Sequence, residues 1–559
     1  MIESPASRWS SAFLGELVAL GITDFVISPG ARSQSLALAA LEWEKVSQGS
    51  IALHVVIDER SAGFRALGLG MESGRPAVCI ATSGSAPTHF YPAIVEAQHA
   101  GVALIVISAD RPAELQGVGA NQTMDQSELF GTAAKTWNVV APGGKDEADP
   151  SALARELVST AMAGLPVHLN VAFREPLSSL GYAPHQLPEL HPLDADNSEG
   201  IALTLEPAPG TIVIAGHGAG ADAEDLAVSL GAPLIAEVIS GARFGPHLVL
   251  SYRQVLDLRA LPTDITRVIT VGRPTLSRQV WSLLSDPTRE HIVLSRGESE
   301  PANPSRTAHV VGSIVVSRAP TAEEKTQWVK PWVMAGRIAH QAALDALLPA
   351  PPDLALLESN DPATRSAFAT QEMGVLRRAV TRGELSLALW EATWPHDRLV
   401  FGASRMVREA DTIVGSKNIT VFANRGLSGI DGTISTARGI AHHAATNGAA
   451  GITRVLLGDL ALLHDAGSLL LEPGAHSPAR VHLFVANDGG GTIFDGLEVS
   501  QSASAADRDR VLYTPHEVDL EALAKAYGWA YLRVSTMGEL TDALGRAEPA
   551  LLVDVGLER

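Results

Sequence analysis

The chain has 559 residues, of which 46% are hydrophobic, and its formal net charge is −20. A chain of this length is too long for one core and predicts about two to four domains. The negative charge excludes nucleic acid and anionic membranes as main partners, because both attract basic surfaces. The single cysteine, Cys79, excludes internal disulfides and cysteine-based metal sites. Since no apolar run is long enough to cross a membrane and the first residues lack a basic signal, we expect a cytoplasmic protein.

The first block of the sequence alternates short apolar runs with helical stretches, which is typical of a parallel sheet with crossover helices. The predicted strands lie at 24–30, 52–59, 77–84, 103–110 and 167–173. We expect this block to form a domain over residues 1–182. A polar, proline-rich passage at 182–200 is predicted to be a linker.

The second block has the same alternation over residues 199–330. Its predicted strands lie at 210–216, 267–273 and 291–297. The glycines of "AGHGAGAD" loosely imitate a dinucleotide-binding loop, but the full pattern is missing and no partner acid is placed to contact a ribose. We therefore interpret this block as a structural domain without a nucleotide. A second break between domains is predicted at about 319–353.

The third block covers residues 354–559 and is again of the strand–helix type. Its predicted strands lie at 398–404, 419–426, 454–459, 481–490, 529–535 and 550–556. The fold class we predict is α/β, with three doubly wound parallel-sheet domains. Ligands of such sheets gather beyond the carboxyl ends of the strands, so the residues that follow the strands are the candidate site residues.

Two acidic residues of the third block follow neighbouring predicted strands. Asp459 follows "RVLLG", and Asp488 stands 29 residues later (488 − 459), before Gly489, Gly490 and Gly491. Two carboxylates and a loop carbonyl suit Mg²⁺, and the glycines let backbone amides approach an anion. The alternative is two helix N-caps and a tight turn. The pair at this spacing favours a site for a metal and a diphosphate.

A third acidic segment, "HVVIDERSAGF", carries Asp58 and Glu59 out of a predicted strand into a predicted helix. One interpretation is a helix cap, with Asp58 accepting amide hydrogens and Glu59 favoured by the helix dipole. The other is a functional carboxyl group at a strand end of the first domain.

The Gly-Asp pair at 458–459, followed by the Asn-Asp-Gly turn, resembles the cofactor motif of thiamine-diphosphate enzymes. The resemblance implies that Asp459, Asp488 and the carbonyl of Gly490 hold Mg²⁺ or Mn²⁺, with Asn487 as the alternative to Asp488. It also implies that Glu59 contacts the cofactor's pyrimidine ring and holds a proton there, which leaves the capping role to Asp58. Ile430 would support the bent cofactor.

Longer motifs narrow the resemblance. The chain is similar to the family of 2-succinyl-5-enolpyruvyl-6-hydroxy-3-cyclohexene-1-carboxylate synthases in "SPGARSQSLALAA", "DERSAGFRALGLG", "ATSGSAPTHFYPAIVEA", "ISADRPAELQGVGANQTMDQ", "NRGLSGIDGTISTARG" and "NDGGGTIF". The similarity covers the first and third blocks and is vague in the second. It implies a transferase of menaquinone biosynthesis that decarboxylates 2-oxoglutarate and adds the succinyl-semialdehyde carbanion equivalent to isochorismate.

Both substrates are dicarboxylates, which arginine binds in bidentate geometry. The resemblance implies that Ser404, Arg408 and Arg425 bind the distal carboxylate of 2-oxoglutarate. A second set would bind isochorismate: Arg32, Arg111 and Arg278.

The resemblance also places residues around the reacting centre, which Asn121 and Gln122 would line as catalytic residues. Ile493, Phe494 and Leu497 would wall the pocket, although any of them could be a core residue instead. Ile493 would also contact the cofactor. Ala31 and Ser277 depart from the family pattern, where Ser and a second basic residue are common, and this puts the affinity for isochorismate in question.

Three alternatives remain open at this point. Another thiamine-diphosphate enzyme, a 2-oxoacid decarboxylase or an acetolactate-type synthase, would share Glu59, Asp459 and Asp488 but needs fewer arginines. A nicotinamide-dependent oxidoreductase would use the glycines at 216–220. A catalytically silent homologue would bind its ligand without catalysing a reaction. The family resemblance further implies a homodimer or homotetramer with active sites between subunits.

Overall fold

The computed structural model describes residues 4–179, 186–192, 201–258, 264–295, 297, 300–350, 353–356, 361–449, 451–472 and 479–559. Most of the predicted linker at 182–200 lies outside these ranges. The described segments form three large parallel sheets with helices on both faces, which confirms the predicted fold class.

The first sheet contains six parallel strands. These are β1 (Asp24–Ile27), β2 (Ala52–Val55), β3 (Ala77–Ala81), β4 (Leu104–Asp110), β5 (Lys135–Val139) and β6 (Val167–Ala172). Their spatial order is β2-β1-β3-β4-β6-β5. The helices that cover the sheet are α1 (Pro5–Ala19), α2 (Gln34–Ser47), α3 (Glu59–Ser73), α4 (Tyr91–Ala100) and α5 (Pro150–Met162).

The central part of the chain forms a five-stranded sheet and a separate two-stranded pair. The strands are β7 (Ala202–Leu205), β8 (Thr211–Ala215), β9 (Leu234–Ala236), β10 (Arg267–Val271), β11 (Glu290–Leu294), β12 (His309–Val311) and β13 (Ser313–Val316). The large sheet has the order β12-β11-β10-β8-β9, and β13 pairs with β7. The helices are α6 (Asp222–Leu230), α7 (Tyr252–Asp257), α8 (Arg278–Leu284), α9 (Ala322–Glu324) and α10 (Lys330–Leu347).

The third sheet contains β14 (Arg398–Phe401), β15 (Thr420–Ala423), β16 (Ile452–Gly458), β17 (Arg480–Asn487), β18 (Ala530–Val534) and β19 (Ala550–Gly556). Their order, β15-β14-β16-β17-β19-β18, repeats that of the first sheet strand for strand. The helices are α11 (Pro362–Leu376), α12 (Arg382–Ala392), α13 (Arg405–Ile413), α14 (Thr433–Thr446), α15 (Asp459–His464), α16 (Val499–Ser502), α17 (Ala505–Arg508), α18 (Leu520–Ala526) and α19 (Met537–Leu544).

The passage 319–353, predicted as a break between domains, is mostly helical. It contains α9, a π-turn at Lys325–Val329 and the 18-residue α10. The helix exists because its apolar face is buried: Trp328 and Trp332 pack under the central sheet, and Trp328 Nε1 donates to the Thr211 carbonyl at 2.7 Å.

The helices begin and end where local chemistry predicts. Asp149 caps α5, and its carboxylate accepts the backbone amides of Ser151 and Ala152 while Pro150 occupies the first helical position. Helix α3 ends at Gly74 with a left-handed φ of 67°. Apolar clusters lie on both faces of each large sheet, as a doubly wound sheet requires.

The first and third domains pack against each other through α3 and α14. A Cβ on Gly68 would lie 2.0 Å from the Thr436 carbonyl oxygen, and a Cβ on Gly439 would lie 2.3 Å from the Arg65 carbonyl oxygen. The two helices therefore approach more closely than any side chain at these positions would allow. Among the described residues, no helix combines the length and apolar character needed to cross a bilayer.

Candidate active site

Asp459 lies at the carboxyl end of β16, the strand beside the switch point of the third sheet. It is buried, and its Oδ1 accepts the Leu460 amide at 2.7 Å. Its Oδ2 accepts the Gly490 amide at 2.8 Å and lies 3.2 Å from His516 Nε2. Burial raises the pKa of Asp459, and the negative charge of Asp488 acts in the same direction. The two predicted metal-binding carboxylates therefore meet at one edge of the sheet.

The neighbouring Asn487 is engaged elsewhere. Its amide nitrogen donates to Asp554 Oδ1 at 2.9 Å, and its oxygen accepts the Gly489 amide at 3.3 Å. Asp488 instead accepts hydrogen bonds from Arg382 at 2.7 Å and from the Thr492 hydroxyl at 2.5 Å. Of the two candidates, Asp488 is the one whose charge acts on Asp459.

The residues of this loop fit a divalent cation bound to a diphosphate. A cation would offset the repulsion between the two carboxylates, of which Asp459 is buried. The Gly490 carbonyl accepts the Thr492 amide at 3.0 Å and has a second lone pair to offer. Gly490 has a φ of 144°, and a Cβ there would lie 2.4 Å from the Tyr513 carbonyl oxygen, so the loop requires glycine at this position.

Glu59 occupies the first position of α3 and is half-buried. Asp58 is the cap of this helix, because its carboxylate accepts the Arg60 amide at 3.0 Å and the Ser61 hydroxyl at 2.9 Å. Burial raises the pKa of the Cys79 thiol in β3, and the Glu59 carboxylate adds to the effect, so Glu59 lies on the side of the sheet core. The capping role thus belongs to Asp58, and Glu59 is left for another role.

A cavity of about 1110 Å³ lies between the central and third domains. Its walls carry five guanidinium groups against two carboxylates, those of Glu300 and Glu409. We call it the arginine cavity, and its cations are Arg253, Arg273, Arg278, Arg405 and Arg408. Its apolar wall includes the predicted Ile493, Phe494 and Leu497. The cavity has the size and the charge of a site for small anions.

The three residues predicted to bind 2-oxoglutarate lie near this cavity in different ways. Ser404 caps α13 and accepts the Met406 amide at 3.1 Å, and its carbonyl accepts from Arg408 at 3.2 Å. Arg408 lines the cavity. Arg425 is only 3% exposed and lies behind Thr275, which lines the wall.

A second cavity of about 690 Å³ lies at the strand ends of the first sheet, and we call it the N-terminal cavity. It brings together the predicted Arg32, Arg111 and Gln122. Arg111 donates to the Gln122 carbonyl at 2.6 Å and to Ser83 Oγ at 2.5 Å, while Gln122 holds a left-handed φ of 54°. Asn121 is exposed beside it.

Arg278 is predicted to bind isochorismate together with Arg32 and Arg111, but within one chain it lies apart from both. Arg278 lines the arginine cavity, whereas the other two line the N-terminal cavity. Glu59 lines neither cavity, and Ile430 is 40% exposed just before α14. One chain therefore presents two groups of predicted site residues on different domains.

Several residues of the arginine cavity were not predicted from the sequence. Arg253, Arg273 and Arg405 line it, and so does Thr275. Arg273 and Thr275 follow β10 directly, so the rule that ligands gather at strand ends could have identified them. Arg253 lies inside α7, where no local pattern distinguishes it from a surface cation.

Of the glycines at 216–220, Gly216 serves packing, whereas a Cβ on Gly218 or Gly220 would have nothing within 4 Å. A Cβ on Gly216 would lie 2.1 Å from the Arg273 carbonyl carbon, and His217 and Arg273 form a β-bridge across the ends of β8 and β10. The neighbouring loop thus covers the place where a dinucleotide would approach Gly216.

Comparison with known proteins agrees with this geometry. Residues 8–129 match the family model of the thiamine pyrophosphate enzyme N-terminal TPP binding domain. The crystal structure of benzoylformate decarboxylase from Polynucleobacter necessarius matches with a TM-score of 0.64 at 15% identity, over 98% of both chains. The fold is thus that of the thiamine-diphosphate enzymes.

Curated relatives narrow this class. The 2-succinyl-5-enolpyruvyl-6-hydroxy-3-cyclohexene-1-carboxylate synthase of Leifsonia xyli is 47% identical over 100% of this chain and 97% of its own length. The synthase of Clavibacter michiganensis is 46% identical over the same shares. That of Mycobacterium avium is 35% identical over 98% and 96%. The chain belongs to the 2-succinyl-5-enolpyruvyl-6-hydroxy-3-cyclohexene-1-carboxylate synthase family.

Proposed function

We propose that this protein decarboxylates 2-oxoglutarate and adds the resulting succinyl-semialdehyde carbanion equivalent to isochorismate, in the cytoplasm and as a step of menaquinone biosynthesis. The observation that carries the proposal is the arginine cavity. Its lining has five guanidinium groups and two carboxylates, although the net charge of the chain is −20. A decarboxylase for a monocarboxylate needs no such concentration of cations. Dicarboxylate substrates need several cations, because each carboxylate loses its hydrating water on binding and must accept hydrogen bonds from fixed donors of the protein instead.

The cofactor is thiamine diphosphate with Mg²⁺ or Mn²⁺. When bound, it supplies the nucleophilic carbon and the electron sink that decarboxylation of a 2-oxo acid requires. Asp459, Asp488 and the Gly490 carbonyl would hold the metal, and the backbone amides of the glycine loop would approach the diphosphate. The burial of Asp459 beside Asp488 supports this assignment.

Glu59 would hold a proton at the pyrimidine nitrogen of the cofactor. Its half-buried place at a strand end of the first sheet, with Asp58 taking the capping role, supports this assignment. Ile430 would support the cofactor, and Ile493 would contact it. Together with Phe494 and Leu497, Ile493 would also exclude water from the reacting carbon, as the position of these three side chains in the cavity wall allows.

The substrates would bind through two sets of residues. Ser404, Arg408 and Arg425 would hold the distal carboxylate of 2-oxoglutarate. Isochorismate would be held by Arg32, Arg111 and Arg278, with Asn121 and Gln122 beside the reacting centre. Ala31, in the wall of the N-terminal cavity, offers no hydroxyl to isochorismate, whereas Ser277 uses its hydroxyl to cap α8.

Two copies of the chain would complete each active site, as a homodimer or a homotetramer. Within one chain the arginine cavity and the N-terminal cavity lie apart. Apolar side chains next to the predicted cofactor residues are exposed in the single chain: Val55, Ile57, Leu427, Ile430 and Leu470. Ile57, two residues before Glu59, is 66% exposed, which a partner subunit would relieve.

The experiment is an incubation of the purified protein with Mg²⁺, thiamine diphosphate and 2-oxoglutarate, with and without isochorismate. We expect the cyclohexene-carboxylate product only when isochorismate is present. Free succinic semialdehyde as the sole product in both reactions would contradict the proposal and indicate another 2-oxoacid decarboxylase.

A further inference from the structure

Arg425 is held from the central domain. The residue follows β15, and its side chain crosses to the loop after β10. Its Nε and Nη2 atoms donate to the Thr275 hydroxyl at 3.1 and 2.9 Å, and Nη2 also lies 3.4 Å from the Thr275 carbonyl oxygen. Across the described ranges, Nη1 has no hydrogen-bond partner. One edge of the guanidinium is therefore fixed, and Nη1 takes no part in these bonds.

Thr275 is in turn fixed by a buried carboxyl group. Glu237 follows β9 and is fully buried. Its two oxygens accept the Thr275 amide at 3.0 and 2.9 Å, and Oε1 also accepts the Leu276 amide at 2.7 Å. These bonds hold the backbone of the loop from below, so the Thr275 hydroxyl has a defined position in the cavity wall.

The guanidinium lies among charges of both signs. Burial lowers the pKa of Arg425; the charge of Glu237, and then that of Glu96, opposes this, whereas the charges of Arg408 and Arg273 add to it. Because such charges do not by themselves fix the orientation of a planar guanidinium, directed hydrogen bonds must hold it. The hydroxyl of Thr275 accepts two of those bonds.

We propose that Thr275 is a positioning residue, which orients the Arg425 guanidinium directly behind the wall of the arginine cavity and thereby sets the preference for a substrate with a distal carboxylate. The inference rests on the proposed function, in which Arg425 binds that carboxylate. It gives the central domain a part in substrate recognition, through one hydroxyl group and the loop that Glu237 anchors.

The test compares two substrates of equal carbon chain, 2-oxoglutarate and 2-oxopentanoate, which lacks the distal carboxylate. The readout is the ratio of their kcat/KM values, measured with the cofactor-loaded enzyme. Thr275→Val keeps the shape and removes the hydroxyl, and we expect the ratio to fall about tenfold, mainly through the KM for 2-oxoglutarate. Thr275→Ser keeps the hydroxyl, and its ratio should stay within about twofold of the wild-type ratio.

A double-mutant cycle separates positioning from general damage. In an Arg425→Met background the ratio is already low, and Thr275→Val should lower it no further, because the hydroxyl acts through Arg425. An unchanged ratio in Thr275→Val, or an equal loss in both backgrounds, would overturn the inference. A wild-type enzyme that does not prefer 2-oxoglutarate would instead contradict the proposed function, so the two failures are distinguishable.

Discussion

Glu59 illustrates how a neighbouring residue determines a role. Two acidic residues, Asp58 and Glu59, lie at the N-terminus of α3, and either would be favourable there. The structure assigns the capping hydrogen bonds to Asp58, which accepts from Arg60 and Ser61. Glu59 is left half-buried on the side of the sheet core, where its charge acts on the Cys79 thiol. Such a carboxyl group is suited to share a proton with a bound ring nitrogen.

We predict that Glu59→Gln binds thiamine diphosphate and Mg²⁺ normally but loses at least about 10²–10⁴-fold in kcat for decarboxylation. The amide fills the same space but cannot hold and release the proton. Cofactor titration and steady-state kinetics provide the two measurements. As a control, Asp58→Asn keeps a good cap and should stay within about threefold of normal turnover. Near-normal turnover of Glu59→Gln would rule out the assigned role.

The arginines allow a reciprocal prediction. Arg408→Ala should raise the KM for 2-oxoglutarate about tenfold or more, with a smaller effect on isochorismate, since it removes a charged donor for one substrate. Arg278→Ala should raise the KM for isochorismate more than the KM for 2-oxoglutarate. Initial rates with each substrate varied in turn measure both values. If both variants affect only the KM for 2-oxoglutarate, the division of the arginines is wrong.

At the scale of elements, the close packing of α3 on α14 depends on glycines, which have no side chain. Gly68 and Gly439 each face a carbonyl of the other helix within 2.3 Å of where a Cβ would stand. Both belong to sequence motifs by which the family was identified, "DERSAGFRALGLG" and "NRGLSGIDGTISTARG". Part of that similarity therefore reflects helix packing between two domains, not chemistry.

We predict that Gly68→Ala lowers the free energy of unfolding by at least about 2 kcal/mol, because the helices must separate to admit a methyl group. Gly374→Ala in α11 is the matched control, since nothing lies within 4 Å of a Cβ there. It should be neutral or stabilise by up to about 1 kcal/mol. Thermal unfolding of the two variants measures the difference, and equal effects would show that the close approach carries no cost.

Element prediction from sequence succeeded where patterns are local. Apart from β5, the strands of the first and third sheets coincide with the predicted apolar runs, although β16 and β17 begin two residues and one residue before theirs. They could be predicted because a buried parallel strand is a continuous apolar segment. Strand β5 was not predicted, because its residues are all exposed or half-buried and form no continuous apolar run. The helix α10 was not predicted because its apolar positions do not form a continuous run and the proline-rich "LLPAPPDL" comes directly after it.

At the scale of the whole molecule, the first and third sheets have one strand order and carry the predicted cofactor residues at equivalent edges. Asp459 and Asp488 follow adjacent strands of one sheet, and Glu59 follows β2 of the other. The central sheet lies between them in sequence and supplies most of the arginine cavity. In the proposed function, each of the three domains contributes residues to the active site.

Buried histidines make the stability of the whole molecule depend on pH. Burial lowers the pKa of His168 to about 3, and those of His217 and His291 to about 4. The unfolded chain binds protons at these positions below about pH 6.5, where the folded chain does not. The free energy of unfolding should therefore decrease as the pH falls from about 6.5 towards 4, by up to about 1.4 kcal/mol per pH unit for each histidine.

The measurement is the unfolding temperature at pH 7.5 and at pH 5.0. We expect a lower value at pH 5.0 and a smaller difference in His291→Gln, which removes one of the titrating groups. His396→Gln replaces an exposed histidine and should leave the difference unchanged. An unfolding temperature that does not vary over this range would contradict the prediction.

The three-block architecture, the sheet type and the candidate cofactor loop could all be read from local sequence. Strand burial, capping and the chemistry of a strand end depend on residues close together in the chain, such as Gly458, Asp459 and the glycines after Asp488. The separation of Arg278 from Arg32, the place of Arg425 behind Thr275, and the contribution of Arg253 needed the folded molecule. Each arises where different domains or distant loops pack together, and contacts between such segments leave no periodic signal in the sequence.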